Sequence, residues 1–171
     1  MSLRNLISRC TVALASAGSK LQTLQIRMLA GEVKDSVEHL EPYGFTSHPH
    51  AGAEGVAVFP GGDRSHGVVV VVADRRYRLQ GLKTGEVALY DDIGQCVHLT
   101  REGIIIKGAG LPMVITDTPK LRVEAPIECT GDITDNAESG GSSMAAMRAV
   151  YNNHDHPGDS GGTTSKPNQG M

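Results

Sequence analysis

From Leu121 to Ile133 the chain alternates with a period of two: Leu121, Val123, Ala125, Ile127, Cys129 and Ile133 fall on one side. Arg122, Glu124, Glu128, Thr130, Asp132 and Thr134 fall on the other. Such alternation marks extended backbone with one apolar face. At about 3.3 Å per residue the segment reaches on the order of 40 Å, several times a mean strand. One chain cannot bury a face of that length, whereas three chains wrapped about an axis can share it. The absence of Trp, with only 2 Phe and 4 Tyr, fits a narrow shared core of Val, Ile, Leu and Ala. The pattern starts earlier, after Gly85, with Val87, Leu89, Val97, Leu99, Ile105, Met113 and Ile115 in short segments of the same odd phase.

The first half reads differently. With 21 Gly and 8 Pro in 171 residues, the chain is broken into short strands and turns rather than long helices. Leu3, Leu6 and Ile7 suffice for one amphipathic turn, and Arg9 to Ala15 can pair as a strand. Leu21 to Met28 is predicted as a strand ended by Gly31, and Val33 to Phe45 as another, interrupted at Pro42 and Gly44. Gly55 to Phe59, the turn Pro60 to Asp63 and the β-branched run Gly67 to Ala73 complete the set. Short strands at this spacing predict a small Greek-key barrel of the OB type.

Near the other end, Ser142 to Tyr151 carries Met144, Met147 and Tyr151 at helical spacing, with serines to cap its start and Asn152-Asn153 to stop it. His154-Asp155-His156 follows. In extended backbone the two imidazoles share a face and can share a metal. Two are too few to close a site, and neither a cysteine nor a third histidine lies nearby. Three copies would supply six imidazoles, an octahedral nitrogen set that suits iron or nickel better than structural zinc. Asp155 points to the opposite face, as a hydrogen-bonding partner of a ligand or a solvated charge. Asp132 and Asp135 can be drawn as carboxylate rings for a hard cation such as calcium, but a solvated outer face is favoured. His48-Pro49-His50 is a rival pair, read as a loop because Pro49 and the following Ala-Gly mark a turn. Residues 157 to 171 are polar and Gly-rich, a loop or folded-back cap.

Composition argues against several classes. A net charge of -3 gives no general field toward nucleic acid or an anionic membrane. Asp74-Arg-Arg-Tyr-Arg78 with Lys83 is the basic cluster that invites a single-stranded nucleic-acid reading on an OB barrel, with Arg75 and Arg76 as its test. A charged linker is favoured. Cys10, Cys96 and Cys129 are far apart and read as reduced thiols. No leader pattern and no apolar run near twenty residues is present, which predicts a cytosol-like site of synthesis and no hydropathic membrane span. Ser65-His66 does not make a triad, and Gly61-Gly62 and Gly140-Gly141 lack the Lys of a phosphate loop. A non-enzymatic protein is expected.

Longer runs carry a resemblance: Val12-Ala-Leu-Ala-Ser-Ala-Gly-Ser19, Leu29-Ala-Gly-Glu32, Val37-Glu-His-Leu-Glu-Pro-Tyr-Gly-Phe-Thr46, Gly62-Asp-Arg-Ser-His-Gly67, Ala73-Asp-Arg-Arg76, Tyr90-Asp-Asp-Ile-Gly-Gln95, His98-Leu-Thr-Arg101 and Met144-Ala-Ala-Met-Arg-Ala-Val-Tyr-Asn152. Together they resemble the central spike proteins of contractile-tailed phages, the baseplate assembly protein V family in its Mu-like form. That resemblance covers nearly the whole chain. It implies an all-β protein: an N-terminal OB-fold barrel on the tail hub (1–84), a trimeric intertwined β-helix stalk (85–136) and a metal-bound apex (137–171). It also implies that His154 and His156 of each of three chains bind one iron ion, and it allows calcium or chloride on the axis with no residue assigned. Its partners would be two further copies, hub and baseplate proteins and the host outer membrane, which the spike pierces, with no nucleic acid. The protein would be made in the host cytoplasm and sit in the virion at the baseplate tip. The alternatives are an OB-fold single-stranded nucleic-acid-binding protein with an oligomerising tail and, last, a metal-dependent hydrolase, which six imidazoles would leave without an open coordination position.

Overall fold

The computed structural model describes residues 6–158 and 160–171. The chain is mostly β, with two compact units that divide between Val114 and Ile115.

In the first unit five strands close a barrel: β1 (Ile7–Ser16), β2 (Gln22–Met28), β3 (Val33–His39), β4 (Glu54–Val58) and β5 (Val68–Ala73). Their order is β1-β2-β3-β5-β4, with β4 returning to β1, the OB-like arrangement predicted. Every pairing is antiparallel except the short parallel one that sets Glu38 beside Val68 and His39 beside Val69. The ladders shift register between Val12 and Leu14, Leu24 and Ile26, and Val56 and Ala57. Such bulges bend and twist strands, which is what lets so few of them close.

Closure encloses Cys10, Val12, Leu24, Ile26, Met28, Val37, Ala53, Ala57, Phe59 and Val69. The alternation of β2 does this directly, since Gln22, Leu24, Ile26 and Met28 point inward. Phe59 is the largest fully buried side chain. A Cβ on Gly67 would lie 2.6 Å from its ring, so glycine is required there for close packing. Two polar groups are buried with partners: His39 Nδ1 lies 3.1 Å from Gln22 Oε1, and Gln22 Nε2 donates to the Ser47 carbonyl at 2.7 Å.

One expectation for this unit falls partly outside the described residues, and another is corrected. Leu3 of the anticipated amphipathic turn lies outside the described residues, and Ile7 opens β1 by pairing with Val58. Strand β3 stops at His39 rather than Phe45. Pro42 has no N–H to give a ladder, and the Glu41 carboxylate instead accepts from the Ser47 N–H at 2.7 Å and the Thr46 hydroxyl at 2.9 Å, closing a loop. Burial works against that charge, but these donors outweigh it and hold the Glu41 carboxyl below its usual range.

Beyond the barrel, β6 (Val87–Tyr90), β7 (Cys96–Leu99) and β8 (Ile104–Lys107) form an antiparallel meander. Its register sets Val87 opposite Leu99 and Leu99 opposite Ile104, and likewise Leu89, Val97 and Ile106 in a row. Directly paired residues share a face. One side of the sheet is therefore wholly Val, Leu and Ile. The other carries Ala88, His98, Ile105, Tyr90, Cys96 and Lys107. Ile105 is thus on the opposite face from its anticipated companions. The Thr100–Gly103 turn, in which the Thr100 N–H donates to the Gly103 carbonyl at 2.8 Å, makes Ile104 and Ile106 the continuation of the apolar side.

In the second unit Leu121 to Ile133 forms no named strand within one chain, and Leu121, Val123, Ile127 and Ile133 are exposed. A bridge joins Thr134 to Ser143, and one helix, α1 (Met144–Asn153), follows. No helix among the described residues is long and apolar enough to cross a membrane.

Candidate functional site

The histidine pair is placed by how α1 begins and ends. Ser143 caps the start, its hydroxyl accepting from the Ala146 N–H at 3.1 Å. Asp132 reinforces it: one carboxylate oxygen accepts from the Ile133 N–H at 2.9 Å and the Ala145 N–H at 3.2 Å. Asp135 accepts from the Ser142 N–H at 3.2 Å. Both carboxylates considered for an axial cation are thus occupied by backbone donors beside the helix start, where negative charge is favoured. The Ser143 hydroxyl, more than burial opposes it, and then the Ala145 and Ile133 N–H groups hold the Asp132 carboxyl below its ordinary value. A carboxyl whose pKa is lower folded than unfolded stabilises the fold above the ordinary range near about 4, and that contribution is lost as pH falls through the folded value. Protection of the amides in the first turn of α1, measured against the unstructured exchange rate at the same pH, should therefore fall on acidification below pH about 4. Asp132→Asn should show the lower protection already at neutral pH and lose that dependence.

The helix runs through Asn152 and Asn153, two residues further than their helix-stopping character suggested. Asn153 stays helical because its side-chain amide donates to the Ala149 carbonyl at 2.8 Å. His154 then leaves the helix with φ -71 and ψ 150, while its N–H still donates to the Val150 carbonyl. The extended backbone expected for the pair begins there. The two imidazole centroids are 5.1 Å apart with planes at 88°, and the Tyr151 ring stands 5.4 Å from that of His154.

His154 Nδ1 lies 2.6 Å from the Tyr151 carbonyl oxygen. A carbonyl only accepts, so Nδ1 carries a proton, and in the neutral ring it is Nε2 that has the lone pair for a metal. This is how metal-ligating histidines are generally held. His156 is fixed through its backbone: its N–H donates to the Thr164 hydroxyl at 2.9 Å, and the Thr164 N–H donates to its carbonyl at 2.9 Å. Asp155 is exposed. Among the described residues no three His, Cys, Asp or Glu side chains converge into a metal-holding group. The His154 ring is set by a carbonyl and the His156 backbone by Thr164, so the segment offers two imidazole nitrogens, which fit part of an all-imidazole set but are too few to close one.

Other candidates sit elsewhere and are engaged. His48 is exposed, and His50 is spent on Asp92 at 3.0 Å and against Tyr77, linking the loop after β3 to the β6–β7 turn. In the basic cluster Arg75 pairs with Glu54 at 2.6 Å, which Arg9 also approaches at 3.3 Å. Arg76 pairs with Asp74 at 2.6 Å, donates to the Ala51 carbonyl and lies over Tyr77. Those guanidinium groups are tied to carboxylates of the chain itself. The three cysteines are free, Cys10 buried and Cys129 exposed. Sequence reasoning passed over Thr164 and the carbonyl of Tyr151, for which a polar tail and a helical tyrosine give no spacing signal.

Residues 9–76 match the family described as Bacteriophage Mu Gp45, N-terminal, a span that coincides with the barrel strands. Over 175 residues the chain is 35% identical to the baseplate puncturing device gp45 of Escherichia phage Mu, covering 95% of this chain and 88% of that protein. The chain belongs to the bacteriophage Mu Gp45 family. Membership is not limited to the barrel, because the matched 95% must include most of the residues after Ala73. A second member, the Mu-like prophage FluMu protein gp45 of Haemophilus influenzae, is 40% identical over 116 residues, 68% of this chain and 63% of its own length.

Proposed function

We propose that three copies of this chain form the central spike of a contractile phage tail baseplate, a needle that pierces the host outer membrane when the tail contracts. Residues 1–84 attach the spike to the tail hub and neighbouring baseplate proteins. Residues 85–136 intertwine as a trimeric β-helix, and residues 137–171 close the apex on one iron ion held by His154 and His156 of every chain. The role is mechanical rather than catalytic, and nucleic acid has no part in it. The protein is made in the host cytoplasm and acts in the virion at the baseplate tip. Calcium or chloride on the axis is a further expectation without assigned residues.

The observation that carries this reading is apolar surface with nothing to cover it in one chain. Val87, Leu89, Val97, Leu99, Ile104 and Ile106 line one face of the meander and remain between 38% and 70% exposed. Leu121, Val123, Ile127 and Ile133 repeat the problem in the second unit, as do Met144, Met147, Val150 and Tyr151 of α1. Exposed apolar area on this scale within each unit marks an interface. The name of the phage Mu relative, a baseplate puncturing device, supports what the interface is for.

A stalk paired on all sides has no free strand edge and resists bending. At the apex the core tapers to nothing, so bonds to a metal take over from apolar burial in holding three chain ends together. Iron there supplies a crosslink and no reaction. Sedimentation with elemental analysis of the same fractions tests the proposal. A species of about 54 kDa, three times the 18.1 kDa of one chain, carrying about one metal is expected. A monomer, or a ratio nearer one metal per chain, would contradict it.

A further inference from the structure

We infer that the C-terminal tail, residues 163–171, is a strap that presets the histidine pair for metal, with Thr164 and Lys166 as positioning residues. This rests on the apex reading and deepens it.

The tail grips the segment on both sides of His154. On the far side Thr164 makes two backbone-directed bonds to His156, its hydroxyl accepting from the His156 N–H and its own N–H donating to the His156 carbonyl, both at 2.9 Å. A bridge between Pro157 and Thr163 continues that short ladder. On the near side Lys166 Nζ donates to Asn153 Oδ1 at 2.8 Å, and the Met171 N–H donates to Asn152 Oδ1 at 2.9 Å. These bonds fall on the last two residues of α1 and on the second histidine, so His154 to His156 is spanned rather than hanging from the helix end. The Tyr151 carbonyl sets the ring of His154 from within.

The physical consequence is preorganisation. A His-x-His in a free polar tail samples many backbone states, and binding would have to freeze them. Here that ordering is done before the metal arrives. The tail has hardly any apolar side chains and covers no core, which leaves its hydrogen bonds without another evident purpose. Partners that orient a ligand without touching the metal typically change affinity by about 10–100-fold.

The test uses the intact trimer loaded with ferrous iron and measures its release to a competing chelator. Thr164→Val removes the hydroxyl while keeping size, and Lys166→Met removes the ammonium. Both positions are exposed, so assembly should survive, which sedimentation checks. The double variant should remain trimeric and release iron about 10–100-fold faster, with Thr164→Ser close to the parent. Thr164→Val alone should fall between. X-ray absorption should report an unchanged nitrogen shell in every loaded form. Release from both variants at the parental rate would overturn the strap and leave the apex reading standing. A parent protein that takes up no iron would overturn both.

Discussion

Replacing Leu89 and Ile106 with aspartate should turn the assembled protein into single chains. The two positions flank Val97 on the same face of the meander, with Leu89 and Ile106 each paired to it across the sheet. Six Val, Leu and Ile side chains on that face are already partly covered in one chain, so completing their burial contributes on the order of 1 kcal/mol each. That is about 6 kcal/mol per chain from this sheet alone. Two carboxylates in the middle of it would have to be desolvated without partners, which removes the gain and adds a penalty of several kcal/mol. Association at micromolar concentration should be lost in sedimentation. The barrel should persist, because its core of Leu24, Ile26, Phe59 and Val69 is separate from that face. Lys107→Glu, a charge change on the opposite face, should leave the trimer intact. A trimer that survives Leu89→Asp with Ile106→Asp would mean the apolar face is not the interface.

The second large effect is on metal. His154→Ala with His156→Ala should lower the iron content from about one per three chains to none while sedimentation still reports a trimer. The two outcomes separate because apolar faces and apex are distinct sources of association. Its thermal midpoint should fall, since a ligand held only by the assembled form stabilises that form. Loss of the trimer together with the metal would make the histidines the main support of the assembly rather than a clip at its end. Replacing His48 and His50 should leave iron content untouched, because His50 is engaged with Asp92 and Tyr77.

The barrel was readable because each strand announces itself locally. The alternation of Gln22, Leu24, Ile26 and Met28 needs no partner to be recognised, and Gly31 and the Pro60 turn bound it. What was not readable depended on events across chain segments. Strand β3 looked longer than it is because Leu40 and Phe45 continue an apolar pattern, while Glu41 gathering Ser47 and Thr46 decides the loop. Counted along the chain, Ile105 shares the odd phase of Val87, Leu89, Val97 and Leu99. Its face is set instead by how many residues the Thr100–Gly103 turn spends, which parity of sequence position does not encode.

At the site, the histidines were legible and their support was not. Two imidazoles two residues apart are conspicuous. A threonine hydroxyl eight residues on, closing back upon His156, leaves no periodic trace in a tail of Pro, Gly, Ser, Thr and Asn. Asp132 was visible as a charge on an alternating face, but its attachment to the start of α1 requires the chain to turn between Thr134 and Ser143.

The most direct measurement is an anomalous difference map from crystals of the intact protein, recorded on either side of the iron absorption edge. One peak per three chains is expected, lying on the threefold axis within bonding distance, about 2 Å, of imidazole nitrogens of His154 and His156 from every chain. A peak beside His48 and His50, one peak in each chain off the axis, or no threefold arrangement at all would contradict it.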